Sequence, residues 1–322
     1  MRVLVTGGAG FIGSHLVDEL ARRGSTVVVY DNFSTGFRQH LAAAARTGDV
    51  HIIEGDILDA GKLARAMQDV ALVFHLAANA DVRGGMHNTS IDVQQNILGT
   101  HSVLEAMRLS GCKRIVFTSS ATVYGEPTVF PTPETYSALQ TSLYGASKLA
   151  AEALVQAYGE YFGIRSQIFR FVSWVGERYS HGVIFDFVRK LKSHPHFLDI
   201  LGDGRQRKSY LDVEDGVRGI FIAIEKETAF KSVLNLGHVE YMDVVTLANV
   251  VCDEMGLRDV EFRFSGGVRG WLGDSPFVHL DITKMQGLGF QPAVSIEEGV
   301  RKTVRYLLTN EWLLHARSGS QR

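Results

Sequence analysis

One tyrosine in this chain is followed by a lysine at helical spacing. Of the ten tyrosines, only Tyr144 has a lysine four positions later, at Lys148, which places both side chains on one helix face. Tyrosine normally titrates near ~10 and is a poor base at neutral pH. A nearby ammonium and a cationic cofactor ring stabilise the phenolate and lower its pKa, so the pair predicts a tyrosine that removes a proton. A chance pair on a helix surface is the alternative.

Hydroxyl side chains precede this pair along the chain. The segment 117–125, FTSSATVYG, closes an apolar run with the pattern of a strand. Its hydroxyls then lie at the carboxyl end of that strand, beside a cofactor. Ser120 is expected to hydrogen-bond an oxygen that becomes a carbonyl, whereas Tyr124 is expected to pack or to line the cofactor.

Glycines recur in the turn after the first apolar run. The segment Thr6–Gly13 reads TGGAGFIG, and Gly7, Gly10 and Gly13 permit a tight turn and close approach of the backbone to a pyrophosphate. The pyrophosphate would lie at a helix N-terminus, where free N–H groups and the helix dipole favour negative charge. A flexible turn without a ligand is the alternative for the glycine string alone.

An aspartate follows at the distance typical of ribose binding. Asp31 ends the second strand, eighteen residues after Gly13, near the ~20 expected for a carboxylate that binds adenosine ribose hydroxyls. That carboxylate repels the 2′-phosphate of NADP, so NAD is the predicted cofactor. Further residues expected to contact it are Phe11, Ile12, Asn32, Ser34, Thr35, Gly36, Asp56, Ile57, Leu76, Ala77, Ala78, Asn96 and Phe171, besides Tyr144 and Lys148.

Strand and helix patterns alternate through the first half of the chain, which predicts an α/β fold with a Rossmann-type doubly wound parallel sheet. The predicted strands are Val3–Thr6, Thr26–Tyr30, His51–Glu54, Leu72–Leu76, Arg114–Thr118 and Arg165–Arg170. The predicted helices are Gly13–Arg23, Ala60–Met67, Gln94–Ser110 and Tyr144–Phe162.

The alternation loosens after about residue 172, where loops rich in glycine and charge appear. Val233–Leu236 is expected to be a strand that returns to the main sheet. The sequence therefore predicts an NAD-binding domain over 1–172, rejoined by about 209–240, and a smaller substrate-binding lobe over 173–322. The tail Thr309–Arg322 is expected to be partly disordered.

Composition limits the partners of the chain. A net charge of −2 disfavours nucleic acid, and no apolar stretch approaches the ~20 residues that span a bilayer. The short apolar run at the N-terminus predicts no targeting segment there, and two cysteines suit a reducing cytoplasm. The twelve histidines have no partners at metal-ligand spacing, so no metal is expected.

Together these segments resemble a known family. The glycine turn, Ser119–Gly125 and Tyr144–Lys148 (YGASK) are similar to the extended short-chain dehydrogenase/reductases. They are most similar to the UDP-galactose (UDP-glucose) 4-epimerase branch of the NAD-dependent epimerase/dehydratase group. The resemblance implies Ser120, Tyr144 and Lys148 as the catalytic set, and it places Asn96 in a supporting hydrogen-bond network. It also implies that Asp31 and Asp56 bind the adenosine half of NAD.

The resemblance also narrows the reaction. Family members share oxidation of a sugar hydroxyl at C4 by bound NAD. Dehydratase relatives carry Asp-Glu after the catalytic hydroxyl and decarboxylase relatives carry a glutamate there, whereas this chain has Ala121 and Thr122. The remaining course for the 4-keto sugar is to turn over and take the hydride back, which predicts 4-epimerisation of a UDP-hexose. Thr122 is then a sugar contact, or simply a residue that closes the strand.

Contacts to the sugar and the diphosphate stay open. Ser173 stands where the branch usually has asparagine; UDP-glucuronate 4-epimerases place a hydroxyl residue there and an arginine soon after. Arg178 is then either a bidentate partner for a sugar carboxylate or a solvated loop residue. Arg207, Lys208 and Arg269 are the candidate cations for the diphosphate.

Other classes and the assembly state are also open. A non-catalytic, NAD-sensing regulator usually loses the tyrosine–lysine pair, and a net oxidoreductase such as a 4-ketosugar reductase would change the oxidation state of one cofactor molecule at each turnover. Apolar positions within Asn96–Met107 and Leu149–Phe162 are enough to cover the sheet and a partner helix. A homodimer is therefore expected, with burial inside the monomer as the alternative.

Overall fold

The computed structural model describes residues 1–137 and 139–316. The strands are β1 (Arg2–Thr6), β2 (Thr26–Asp31), β3 (Val50–Glu54), β4 (Leu72–His75), β5 (Arg114–Ser120), β6 (Arg165–Phe171), β7 (Ser173–Val175), β8 (Phe197–Ile200), β9 (Arg207–Lys208), β10 (Tyr210–Asp212), β11 (Lys231–Leu236), β12 (Met242–Asp243), β13 (Glu261–Phe264) and β14 (Phe277–Val278). The α-helices are α1 (Phe11–Arg22), α2 (Ala42–Thr47), α3 (Ala60–Ala66), α4 (Gly99–Ser110), α5 (Leu143–Phe162), α6 (Val183–Ser193), α7 (Val213–Lys226), α8 (Val244–Glu254), α9 (Thr283–Gly287), α10 (Ile296–Thr309) and α11 (Trp312–Ala316).

Seven of these strands form one parallel sheet in the order β11-β6-β5-β4-β1-β2-β3. Successive residues of a strand point to opposite faces. In β1, Val3 and Val5 belong to one buried cluster and Leu4 belongs to another. Both faces are therefore covered by apolar side chains, as expected for a parallel sheet between two helix layers. The predicted doubly wound fold is confirmed.

The predicted strands and helices are all present, and Val233–Leu236 does return to the sheet, as part of β11 beside β6. One helix differs from its prediction. The stretch predicted as a single helix from Gln94 begins with a π-helical turn over Val93–Leu98 and continues as α4. Such wider turns are rare and interrupt the regular side-chain period, so helical spacing alone does not reveal them.

The remaining strands form three smaller sheets. β10 pairs with β7, β13 pairs with β8, and β9 lies between β12 and β14. The division at residue 172 into two lobes stays a prediction. In the tail that was expected to be partly disordered, residues 312–316 form α11, whereas residues 317–322 lie outside the described part of the chain.

Among the helices of residues 1–137 and 139–316, none combines the length and the apolar composition that a membrane-spanning helix needs.

Candidate active site

A cavity of about 450 Å³ opens at the carboxyl ends of the central strands, which is the usual ligand position in a doubly wound sheet. Most residues predicted to bind cofactor or substrate line it. They are Gly7, Gly10, Phe11, Ile12, Gly13, Asp31, Asn32, Ser34, Thr35, Ile57, Leu76, Ala77, Ala78, Ser120, Thr122, Tyr144, Lys148, Phe171, Ser173 and Lys208. The structure does not bring Gly36, Asp56, Asn96, Arg178, Arg207 or Arg269 to this lining.

The glycine turn forms one end of the cavity and fits a pyrophosphate. Gly7 has a φ of +70°, which favours glycine. A Cβ on Gly13 would lie 2.2 Å from the Gly7 carbonyl oxygen, so helix α1 packs directly on the turn. The cap of α1, Gly10, makes no side-chain hydrogen bond, and the first helical turn contains no acidic residue. The first N–H groups of α1 therefore have no side-chain acceptor and can bind an anion.

Asp31 extends this end of the cavity toward a ribose. Its Oδ2 accepts a hydrogen bond from the Ala9 N–H at 2.9 Å, and its Oδ1 accepts one from Phe33 N–H at 2.8 Å. Burial raises the pKa of the carboxyl group, and these two hydrogen bonds oppose that shift. The side chain also lines the cavity, where its remaining lone pairs can accept from ribose hydroxyls.

Asp56 and Gly36 were also predicted to contact the cofactor at this end, but both contact other parts of the protein. Asp56 accepts hydrogen bonds from Asn32 Nδ2 at 3.0 Å and from the Leu58 N–H at 2.9 Å, so it braces the ribose-side loop. Gly36 lies so close to Ala9 that a Cβ would come within 2.8 Å of it. Neither position faces the cavity.

Helix α5 carries the tyrosine and the lysine into the other end of the cavity. Ser142 caps α5 by accepting a hydrogen bond from the Gly145 N–H at 3.0 Å, which sets Tyr144 in the first turn. Lys148, one turn later, is only 3% exposed, and its ammonium lies 4.4 Å over the Phe117 ring. The helical spacing predicted from the sequence therefore delivers both side chains to one site.

The protein alone does not favour the tyrosinate. Burial raises the pKa of Tyr144 to about 12, a hydrogen bond with Ser120 opposes the shift, and the charge of Asp92 adds to it. Burial also lowers the pKa of Lys148 to about 8, against the attraction of Glu152. The lowered pKa predicted from the sequence depends on a cationic cofactor ring together with Lys148, so it stays a prediction; in the protein without cofactor the pKa of Tyr144 is raised.

Ser120 and Thr122 form one hydroxyl pair beside the tyrosine. Ser120 is the last residue of β5, and its Oγ accepts hydrogen bonds from the Thr122 N–H at 3.2 Å and the Thr122 hydroxyl at 3.0 Å. Because Ser120 accepts both of these bonds, its own proton is donated within the cavity, where it forms the hydrogen bond with Tyr144 in the protein without cofactor. Thr122 lines the cavity and also orients Ser120.

Asn96 lies behind the cavity, in the π-helical turn. Its Nδ2 donates to Ser147 Oγ at 2.8 Å, and Ser147 Oγ donates to the Tyr144 carbonyl at 2.8 Å. His75 is likewise buried, between Thr6 Oγ1 at 2.7 Å and Thr100 Oγ1 at 3.0 Å, and burial lowers its pKa to about 3. Both residues are placed to support the site from within the core.

Of the candidate cations for the diphosphate, Lys208 alone lines the cavity among the described residues. Its Nζ donates to Asp274 Oδ1 at 2.6 Å. Arg207 points to the opposite face of β9, where its guanidinium lies 4.3 Å over Phe277. Arg269 pairs with Glu126 at the surface.

Arg178 is turned away from the sugar end of the cavity. Its guanidinium pairs with Asp18 of α1 at 2.7 Å, and only 16% of its side chain is exposed. Because the guanidinium is paired with Asp18, it does not hold a sugar carboxylate. Because it is largely buried, it is not a solvated loop residue either. Both alternatives predicted for Arg178 are therefore wrong.

Sequence reasoning missed several residues of the cavity wall. Tyr179, Ser180 and His181 follow β7 and line it, and Trp271 and Asp274 line it from a later loop. The position of the first group after a predicted strand end was an available signal. Contact with Trp271 depends on long-range packing and had no signal. Among the described residues, no group of His, Cys, Asp and Glu could hold a metal ion.

Comparison with known proteins identifies relatives of this chain. The family model described as the NAD dependent epimerase/dehydratase family matches residues 3–237. A putative UDP-glucose 4-epimerase from Methanocaldococcus jannaschii is 32% identical over 313 residues, which cover 96% of this chain and 99% of that protein. The UDP-glucuronic acid decarboxylase 1 of Arabidopsis thaliana is 30% identical, over 94% of this chain and 69% of that protein.

Solved structures give the same picture in three dimensions. The crystal structure of a UDP-galactose 4-epimerase is 38% identical with a TM-score of 0.87, over 97% of this chain and 100% of that chain. A UDP-glucuronic acid 4-epimerase variant from Bacillus cereus, solved with NAD and a fluorinated UDP-glucuronic acid, is 28% identical with a TM-score of 0.88, over 96% of this chain and 99% of that one. NAD is the cofactor of this site.

The glycine turn gives a direct test of the cofactor site. In Gly13→Ala the new Cβ would meet the Gly7 carbonyl at 2.2 Å, so the turn must open. We expect the NAD retained per protein chain to fall by about tenfold or more, because the pyrophosphate loses its backbone contacts. Chromatography of the nucleotide released from acid-denatured protein measures this content.

The matched control is Gly61→Ala in α3. Its Cβ would meet nothing closer than 3.7 Å, so NAD content should equal that of the unaltered chain. Equal NAD in the two variants would contradict the assignment of the turn.

Proposed function

Because the chain belongs to the NAD-dependent epimerase/dehydratase family, we propose that it interconverts the C4 epimers of a UDP-hexose of the UDP-glucose and UDP-galactose type. One observation carries the proposal. Tyr144, Ser120 and Lys148 meet in the cavity, and the two residues after Ser120 are Ala121 and Thr122, which supply no second acid–base group. The 4-epimerases named above support the same class of reaction, whereas the Arabidopsis relative named with them is a decarboxylase.

The proposed reaction needs one proton carrier. When bound, NAD supplies a nicotinamide ring that takes a hydride from C4 of the sugar and returns it to the opposite face. Tyr144 removes the C4 hydroxyl proton and gives it back, and Ser120 donates a hydrogen bond to the same sugar oxygen. Lys148 contributes positive charge near the phenolate and binds the nicotinamide ribose. The 4-keto sugar must turn over between the two transfers.

The lining favours a neutral sugar over a hexuronic acid. Lys148 and Lys208 are the only lysine or arginine residues that line the cavity in the described part of the chain. We assign Lys148 to the catalytic set and Lys208 to the diphosphate, which leaves no lining lysine or arginine for a sugar carboxylate. UDP-glucuronate 4-epimerisation stays the second candidate, because Ser173 faces the cavity and UDP-glucuronic acid 4-epimerase is among the similar structures.

We also propose a cytoplasmic location. Cys112 and Cys252 are both free and buried, which suits a reducing compartment.

The function is tested with purified protein and no added NAD. We expect UDP-galactose and UDP-glucose to interconvert, with slower or no conversion of UDP-galacturonate, because no lysine or arginine of the described lining is left to pair with the acid. Chromatography of the UDP-sugars measures both conversions. The absence of a C4 epimer from every UDP-sugar tried would refute the proposal, and consumption of added NADH in step with a UDP-4-keto sugar would indicate a 4-ketosugar reductase instead.

The variant Tyr144→Phe is the matched control of this assay. It keeps the aromatic ring and loses the hydroxyl, so NAD content should be unchanged while kcat falls by about 100- to 10,000-fold. Retained turnover would show that another group is the base.

Lys208 should contribute to substrate binding more than to turnover. A charge-assisted hydrogen bond of about 1.5–3 kcal/mol predicts that Lys208→Met raises KM for the UDP-sugar by about 10- to 100-fold, with kcat nearly unchanged. Lys208→Arg should restore most of the affinity. The matched control is Arg269→Met, because the Arg269 guanidinium pairs with Glu126 and does not line the cavity. Steady-state kinetics should show an unaltered KM for this variant. An increase for Arg269→Met alone would reverse the assignment.

We propose that the protein is a homodimer that buries the outer face of α4 and α5. Leu98 and Leu109 are 49% and 69% exposed and Tyr161 is 81% exposed. Leu98 and Leu109 are eleven residues apart, or about three helical turns, so they lie on one face. Exposed apolar side chains on packed neighbouring helices are typical of a surface that a second copy covers.

A double substitution tests this dimer. Leu98→Asp with Leu109→Asp should convert a two-chain particle to a single chain, because two carboxylates would have to be desolvated in the interface. Light scattering coupled to gel filtration measures the mass. Val268→Asp with Leu272→Asp, at positions 65% and 79% exposed outside the helices, should leave the mass unchanged. A single-chain mass for the unaltered protein would contradict the proposal.

A further inference from the structure

A buried carboxylate, that of Asp92, lies beside the start of helix α5 and has no part in the reaction described above. Asp92 is 1% exposed and immediately precedes the π-helical turn at 93–98. It does not line the cavity. A buried carboxylate that takes no part in a surface ion pair needs a structural or chemical explanation.

The contacts of Asp92 join three segments around the start of α5. Its Oδ1 accepts hydrogen bonds from Asn79 Nδ2 at 2.9 Å and from Asn96 Nδ2 at 3.3 Å. Its Oδ2 has no hydrogen-bond partner in the described part of the chain. A Cβ on Gly85 would lie 3.0 Å from that oxygen and 3.2 Å from the Cβ of Leu143. The free oxygen is therefore close to the residue that precedes the catalytic tyrosine.

A continuous set of hydrogen bonds runs from Asp92 to the tyrosine backbone. Asn96 Nδ2 donates to both Asp92 and Ser147, and Asn96 Oδ1 accepts from the Asn79 N–H at 2.8 Å. Ser147 in turn donates to the Tyr144 carbonyl. With both amide protons and the carbonyl oxygen engaged, the Asn96 side chain has one orientation that satisfies all its partners.

We propose that Asp92 is a positioning residue for Tyr144, which holds the Asn96 amide and, through Ser147, the first turn of α5. This inference rests on the proposed function of Tyr144 as the proton carrier. The buried charge of Asp92 also raises the pKa of Tyr144, so it increases the proton affinity of the phenolate. The tyrosinate is thereby kept basic enough to accept the sugar hydroxyl proton in the presence of a cationic cofactor ring.

In the described part of the chain, few charged groups act on Asp92 and Tyr144. Burial raises the pKa of Asp92, the hydrogen bond from Asn79 opposes the shift and the charge of Asp81 adds to it. Besides burial, the hydrogen bond with Ser120 and the charge of Asp92 shift the pKa of Tyr144 in the protein without cofactor. On its own helix the next ionisable residue is Lys148, which Glu152 follows one turn later. Removing the Asp92 charge should therefore lower the pKa of Tyr144 and extend activity to lower pH.

Two substitutions separate the hydrogen bonds from the charge. Asp92→Asn keeps an acceptor for Asn79 and Asn96 but removes the charge, so kcat at the optimum should change by about threefold or less. The acid limb of its kcat/KM profile should move to lower pH. Asp92→Ala removes the acceptor as well and should lower kcat by about 10- to 100-fold, with KM and NAD content nearly unchanged. A merely structural role would change the thermal midpoint without moving the pH limb.

A substrate-free measurement keeps this inference separate from the proposed function. The NAD-loaded protein is titrated with base while tyrosinate absorbance is recorded. Subtracting the titration of the Tyr144→Phe counterpart leaves the signal of Tyr144. It should appear at lower pH with Asp92→Asn than with Asp92 present. Asp81→Asn, an exposed carboxylate in the neighbouring loop, is the matched control and should leave the titration unchanged. An unmoved titration with Asp92→Asn, or an equal shift with Asp81→Asn, would overturn the inference even if epimerase activity is found.

Discussion

A buried ion pair fixes helix α5, which carries Tyr144 and Lys148, to the sheet. Arg170 of β6 donates from Nη2 to Glu152 of α5 at 2.8 Å, and their side chains are 10% and 1% exposed. Ser119 of β5 also donates to Glu152. Loss of one partner from such a pair typically costs about 3–5 kcal/mol, because the other charge stays buried. Glu152 lies one turn after Lys148 and two turns after Tyr144, so this contact sets the height of both side chains above the strand ends.

The same burial that fixes the helix also controls the charge of the site. Burial disfavours the phenolate of Tyr144 and the ammonium of Lys148 alike. The charge of Glu152 compensates part of the penalty for Lys148, whereas Asp92 increases the penalty for Tyr144. In the protein without cofactor, Tyr144 is therefore a protonated phenol. Under our proposal the positive nicotinamide ring is what makes it a base, so loss of NAD removes both the hydride acceptor and the proton acceptor.

Sequence reasoning succeeded where the determining interactions are local. The glycine turn, the carboxylate at the end of β2 and the tyrosine–lysine spacing each depend on residues within one strand–turn–helix unit or one helix. The structure placed Gly13, Asp31, Tyr144 and Lys148 in one cavity, as the alternation of strands and helices predicts. The π-helical turn had no such signal, because its wider hydrogen bonds leave no distinct composition.

The cations were predicted less well because their partners are distant in sequence. Arg269 pairs with Glu126, 143 positions away, and Arg178 pairs with Asp18 of α1. Long guanidinium side chains reach several positions around their own backbone, so the choice among acidic partners belongs to the tertiary fold. Lys208 differs because it is on a strand, where the alternation of side chains directs it to the cavity and Arg207 to the other face.

The carboxylates around the cavity explain why one proton carrier suffices for the proposed reaction. Among the described residues, Asp31 and Asp274 are the only carboxylates in the lining. Asp31 accepts from the Ala9 and Phe33 N–H groups at the ribose end, and Asp274 is paired with Lys208. Elimination of water or loss of a carboxylate from a 4-keto sugar would need a further group of defined charge at the sugar. With both carboxylates engaged elsewhere, return of the proton and hydride to C4 is the course that this set of side chains favours.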